Sequence, residues 1–207
     1  MIKTPPEEHN LRYGLLCLDF VNTLYWRLRE EPFEEFKDYS LLIKWGRKIG
    51  LLTKMDANNL IQEGQKHPDE AALVLNRAIR LRESLYRIVV ATLNGSHPNI
   101  FDIDILSSEV SEMLKRIALI HVGSKFEWRW NVGENELDQI LWPILSSSSE
   151  LLTSADMERI GICEGDGCGW LFYDQSRNRS RKWCDMGDCG NRAKARRFYK
   201  RKRANKE

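Results

Sequence analysis

Four of the five cysteines form two matched pairs, Cys163-x4-Cys168 and Cys184-x4-Cys189, with fifteen residues between them. Two short-spaced thiol pairs separated by one hairpin's length of chain are the pattern of a tetrahedral zinc site, each pair supplying one edge of the tetrahedron. Four thiolates leave no coordination position open, so one structural Zn2+ is expected, building the fold and doing no chemistry itself. Gly165, Gly167 and Gly169 surround Cys168, where a tight turn must aim backbone N–H groups at sulfur. Catalytic constellations are lacking: His9, His67, His97 and His121 are scattered without nucleophile or metal-ligand spacing, and there is no phosphate-binding glycine loop. No catalytic residue is assigned, and an enzyme is not expected.

Around these thiols, Trp170–Tyr173 reads as a strand, Asp174–Ser180 as a polar turn and Arg181–Trp183 as the returning strand. Gly190–Lys206 contains no proline and is rich in Ala, Arg and Lys, with Asp188 placed to cap it, so it reads as a helix of about 25 Å. Knuckle, hairpin and a helix carrying the last ligand at its start follow the order of a treble-clef finger. Ala195, Phe198 and Tyr199 share one arc of this helix and are expected to dock, leaving the other arc cationic. Trp170 and Trp183 are likewise assigned to the small module's core.

Residues 177–203 carry twelve Lys or Arg and two Asp, a net of +10, whereas residues 1–176 carry a net of −8. That division points to a polyanionic partner at one end of the chain and exclusion from it at the other. The candidate nucleic-acid contacts are Arg177, Arg179, Arg181, Lys182, Arg192, Arg196, Arg197, Lys200, Arg201 and Arg203. Arg192 and Arg196 are placed to pair with guanine edges, and Arg197, Lys200 and Arg201 to grip phosphates. Arg192 could equally hold Asp174 or the turn beside the metal, and Asn191 reads as a local backbone partner.

Here the sequence resembles the CGNR zinc-finger family, through Cys189-Gly190-Asn191-Arg192, the Asp174-x-Ser176-Arg177-Asn178 turn and Arg181-x-Trp183-Cys184, with Trp170 and Phe172. The resemblance implies a treble clef that binds DNA, with the zinc on Cys163, Cys168, Cys184 and Cys189. Upstream, Leu18-Asp19-Phe20-Val21-Asn22-Thr23-Leu24 is similar to the signature of the ABATE domain, which implies a stress-linked regulatory module.

Stepping through the rest, helical periodicity places helices near Leu15–Leu28, Asp38–Ile49, Thr53–Lys66, Pro68–Asn94, Asp104–Ile117 and Glu134–Leu152, with a kink at Pro143. Ala118–Val122 and Phe126–Val132 alternate around Gly123-Ser124-Lys125 as a β-hairpin. The expected fold is α+β, mainly α: a helical domain with a small sheet over 1–153, and a treble-clef finger over 154–207. No stretch approaches a membrane span and Met1–Asn10 lacks a signal's apolar run, so the chain is expected to be cytoplasmic, without a membrane partner. Cys17 reads as a buried hydrophobe. Asp19, Asn22, Thr23 and Arg27 lie among large hydrophobes, where they could face a pocket for a small-molecule effector or form an internal network with Arg82. The function these readings converge on is a zinc-dependent, duplex-DNA-binding transcription regulator. RNA binding by the same module, or a zinc-stabilised protein-interaction module, are the alternatives, and a dimer is compatible with either.

Overall fold

The computed structural model describes residues 13–131 and 136–204. Val132 as a strand end, Glu134 as a helix start and Lys206 as a helix end lie outside them. Seven α-helices and three antiparallel strand pairs follow in the order α1 (Leu16–Val21), β1 (Leu24–Tyr25), β2 (Phe33–Glu34), α2 (Tyr39–Lys48), α3 (Lys54–Lys66), α4 (Pro68–Leu93), α5 (Ile100–Leu114), β3 (Ile117–Val122), β4 (Lys125–Trp130), α6 (Leu141–Thr153), β5 (Ile160–Ile162), β6 (Leu171–Tyr173) and α7 (Asn191–Ala204). The architecture is mainly helical, as the periodicity predicts, with β1–β2, β3–β4 and β5–β6 forming three separate two-stranded sheets. Among the described residues no helix is long and apolar enough to cross a membrane.

Local chemistry sets the helix ends. The Asp38 carboxylate accepts from Leu41 N–H and the Thr53 hydroxyl from Asp56 N–H, satisfying donors that the first turns of α2 and α3 leave open. Pro143 produces no break in α6, because it sits in the first turn, where no intrahelical bond is asked of its nitrogen. The serines that follow return their hydroxyls to the helix: Ser148 donates to Ile144 O at 2.7 Å and Ser149 to Leu145 O at 2.9 Å. The run Ser146–Ser149 is therefore helix and not linker. Cys17 is fully buried, and burial pushes its thiol up to about 11, as expected of a small core hydrophobe.

Two cores share α1 and α4. The first gathers Phe20, Phe36, Leu42, Trp45, Leu81, Leu141 and Ile144 from the helical part. The second combines Leu18 and Val21 of α1 and Leu85 and Val89 of α4 with Trp170, Leu171, Phe172 and all four paired cysteines. Each helix thus presents one side to each core. Between them Arg82, 1% exposed, donates to both carboxylate oxygens of Glu34 (2.7 and 2.5 Å), to Glu83 (2.9 Å) and to Thr23 (3.2 Å).

Candidate metal centre and basic helix

The Sγ atoms of Cys163, Cys168, Cys184 and Cys189 all lie within 4.8 Å of one another, and all four residues are buried. Cys184 Sγ stands 3.8 Å from both Cys168 Sγ and Cys189 Sγ. A tetrahedron with zinc–sulfur bonds of about 2.3 Å has edges of about 3.8 Å, so the donor set and its spacing fit one structural zinc ion. Without a cation, four thiols this close cannot all ionise. Hydrogen bonds from Cys168 and Cys184 hold the Cys163 thiol down, while Cys163 pushes Cys168 up to about 12. A divalent ion removes that conflict by neutralising the thiolates together.

The surrounding shell is built for sulfur. Gly165 N–H points at Cys163 Sγ at 3.4 Å, and a Cβ at Gly165 would stand 2.8 Å from Cys189 Sγ, so only glycine fits. Arg192 donates to Cys189 Sγ at 3.0 Å, pairs with Asp188 at 3.1 Å and lies over the Trp26 ring at 4.3 Å. Of the two roles open to it, the metal-side one is occupied. Arg192 does not hold Asp174, whose carboxylate accepts from Ser176 N–H (2.8 Å) and Arg181 N–H (2.9 Å). Burial alone would raise the Asp174 carboxyl, but those hydrogen bonds outweigh it and keep the group below the usual carboxylate range.

Two features of the finger differ from the expectation. The partner of β6 is β5, which precedes the first cysteine, in the register Ile160↔Tyr173, Gly161↔Phe172 and Ile162↔Leu171. Arg181–Trp183 forms no ladder and is tied instead by Glu164 N–H to Lys182 O at 2.9 Å and by the Arg181 guanidinium to the Trp183, Tyr173 and Cys184 carbonyls. Asp185, not Asp188, caps the turn of Met186–Gly190 that leads into α7.

The finger is fastened to the helical part by polar contacts of high sequence separation. Asn22, 3% exposed, accepts from Leu171 N–H at 3.0 Å and donates to Leu171 O at 2.8 Å, standing in for a neighbouring strand. Trp170 Nε1 donates to Leu24 O at 2.8 Å, Tyr86 to Gly169 O at 3.0 Å and Leu28 N–H to Gly167 O at 3.2 Å. The CGNR zinc-finger family model matches residues 159–202. The ABATE family model, described as "Putative stress-induced transcription regulator", matches residues 14–155. The chain belongs to the ABATE family. Family and cysteine cluster make it a zinc-binding regulator, and neither family is an enzymatic one. No curated protein matches the chain.

On the CGNR side, α7 is exposed along its length from Lys194 onward. Phe198 and Tyr199, expected to dock, are each 63% exposed and meet only as an edge-to-face pair at 5.7 Å. The expectation failed because the zinc core is filled from the ABATE side, by α1 and α4, leaving α7 no groove to enter. Of the candidate cations, Arg179 pairs with Glu158 at 2.9 Å, Lys182 with Glu164 at 3.2 Å and Arg196 with Asp166. Arg181 is spent on carbonyls. Among the described residues Arg177, Arg197, Lys200, Arg201 and Arg203 meet no carboxylate, nor do Lys194 and Lys202, which extend the same surface.

On the ABATE side, Asp19, Asn22 and Thr23 line a cavity of about 380 Å3 with Tyr13, Tyr25, Glu35, Trp45, Lys48, Ile49 and Trp170. Arg27 is not among them. It pairs with Glu83 at 2.5 Å, donates to Val21 O at 2.9 Å and lies over Tyr86 at 4.0 Å. Thr23 belongs also to the network of Arg82. The aromatic walls of the cavity escaped the sequence reading, since Trp170 joins them only when the finger docks, and Tyr13, Tyr25 and Trp45 come from separate segments of the helical part.

Proposed function

We propose that this ABATE protein is a transcription regulator that binds duplex DNA through α7. The observation that carries the reading is the set of exposed cations on α7, Lys194, Arg197, Lys200, Arg201, Lys202 and Arg203, left without carboxylate partners among the described residues on a helix whose first turn is anchored to Cys189 through Arg192. Six phosphate contacts would give a log–log salt slope of roughly −5 on duplex DNA. With Arg192 held at Cys189 Sγ, the residues left to reach base edges are Arg196, once it exchanges Asp166, and its neighbours on the same turn. Selection of bound fragments from random duplex DNA by the zinc-loaded chain tests the reading, with structured RNA as competitor at matched salt. No salt-dependent retention of either polymer refutes it, and preference for the RNA replaces duplex DNA by RNA. The cavity beside Asp19, Asn22 and Thr23 supports a small-molecule effector, which thermal-shift screening of metabolites tests. Four thiolates would leave a bound zinc no open coordination position, so the reading gives the metal a structural role and no reaction.

A further inference from the structure

The β3–β4 hairpin stands out from the helical core with its face bare. Its antiparallel register sets Ile117 opposite Trp130, Leu119 opposite Trp128 and His121 opposite Phe126, and these six share one face. Only the base of that face is covered, Trp130 packing on Trp142 with ring centroids 5.7 Å apart. Beyond it Trp128 and Phe126 are each 67% exposed and Leu119 53%. Two strands alone do not sustain such a face in water. Nor is the outer edge of β4 paired with any strand among the described residues. Asn131 N–H donates to Arg116 O at 2.6 Å. That bond places the odd-numbered residues of β4 in the hydrogen-bonded pairs with β3, and turns the N–H and C=O groups of Phe126, Trp128 and Trp130 outward.

What could add to that edge is written in the strand itself. From Phe126 to Trp130 the sequence reads Phe-Glu-Trp-Arg-Trp, which is complementary to its own reversal. Antiparallel pairing about Trp128 sets Trp128 against Trp128 of a second copy, Phe126 against Trp130, and Glu127 against Arg129 on the opposite face. Shifting the two-fold to Glu127 would instead oppose Glu127 to itself and Lys125 to Arg129. Shifting it to Phe126 would leave Trp128 facing Ser124. Aromatic pairs and opposite charges facing each other are the cross-strand combinations that stabilise a sheet. In the single chain Glu127 and Arg129 pair with each other along the strand at 3.1 Å, and on association they would exchange partners across the new edge.

We propose that two copies of the chain associate through β4 about a two-fold axis at Trp128, making a four-stranded sheet in the order β3-β4-β4-β3. The proposal is independent of what α7 binds. Sedimentation of the full zinc-loaded chain at micromolar concentrations is the test, with E127R, R129E and the double variant E127R/R129E. All three changes lie on exposed side chains, so far-UV circular dichroism should be unaltered. Wild type is expected to sediment as a dimer. Each single charge reversal opposes like charges twice per dimer and should weaken it about tenfold or more. The double variant restores both pairs and the wild-type dissociation constant. A monomer throughout, a dimer indifferent to E127R, or a double variant as weak as the singles overturns the proposal.

Discussion

Truncating Asn22 to alanine should loosen the attachment of the zinc finger more than any other single polar change. Asn22 makes two hydrogen bonds to one residue, accepting from Leu171 N–H at 3.0 Å and donating to Leu171 O at 2.8 Å, and Leu171 is fully buried. The alanine variant leaves both backbone groups without a partner, and each orphaned group costs about 1–3 kcal/mol. The cavity that Asn22 lines would let water reach part of the wound, which favours the lower half of that range, about 2–4 kcal/mol in total. Asn22→Asp is the sharper probe, because one carboxylate oxygen still accepts from Leu171 N–H while the other confronts Leu171 O. It should lose at least as much as the alanine variant near neutral pH. Urea unfolding of the zinc-loaded chain, followed by tryptophan fluorescence and far-UV circular dichroism, gives both numbers. A cost below about 1 kcal/mol for Asn22→Ala would fall under that of a single ordinary buried hydrogen bond. In that case the paired contact to Leu171 contributes little, and apolar packing with the bonds from Trp170, Tyr86 and Leu28 holds the finger.

Gly165→Ala places a methyl 2.8 Å from Cys189 Sγ and should lower zinc affinity by roughly 10–100-fold, read by competition with a chromophoric chelator. Removing zinc should destabilise the helical part as well, because the cysteines share a core with α1 and α4. Thermal melts with and without chelator would show one lowered transition, and an unchanged helical transition would contradict the shared core. Arg82→Met breaks a buried ion network with Glu34 and Glu83 and should cost about 3–5 kcal/mol, measured by urea unfolding. The hydrogen bond from Arg87 holds the Asp102 carboxyl below the usual range. Its native value thus lies below the unfolded value of about 3.9, so its contribution is complete above that pH and is lost as pH falls through the native value. Asp102→Asn should therefore flatten the acid limb of the stability–pH curve below about pH 4, measured by urea midpoints across that range.

Much of what depended on neighbours in sequence was legible, although α1 ends at Val21 and not near Leu28, and α5 starts at Ile100 and not Asp104. The cysteine spacing named the metal, the helical spacing after Asp38 and the Thr53-x-x-Asp56 cap placed two helix starts, and the alternation around Gly123 gave β3–β4. What escaped involved partners far along the chain. Nothing in the period of Trp170–Tyr173 distinguishes a return strand at 181–183 from a preceding one at 160–162, because both are short and close by, one cationic with an aromatic end and the other apolar. Asn22 could be read as a pocket residue or as part of an internal network with Arg82, and the structure gives it a cavity position and a partner, Leu171, that lies 149 positions away. Phe198 and Tyr199 were assigned to a core because they share an arc of α7 with Ala195, although the finger's core is supplied by α1 and α4. The error over Pro143 is of another kind: the helix begins at Leu141, seven residues later than the expected start at Glu134, with Leu137–Ile140 as a 3-10 turn.

The two family signatures meet across one short loop. Leu18–Thr23 ends at Leu24–Arg29, and this loop touches the zinc knuckle at Gly167 and Gly169 and the start of α7 at Arg192. Its centre, Trp26, is held at φ 56°, a left-handed conformation that costs a non-glycine residue about 1–2 kcal/mol. The Arg29 and Arg192 guanidiniums lie over its ring at 3.8 and 4.3 Å. Arg192 in turn donates to Cys189 Sγ. Trp26 thus keeps an unfavourable backbone geometry because two cations and the docked finger enclose its ring, and one of those cations also completes the shell of the metal. Asn22 and Thr23 line the cavity only three or four residues before Trp26. The cavity wall and the loop that steadies the first turn of the basic helix are thus adjacent along the chain. The ABATE signature reaches the finger through Asn22, bonded to Leu171, and the arginine of the CGNR motif reaches the ABATE side through Trp26, so each segment rests on packing that the other supplies.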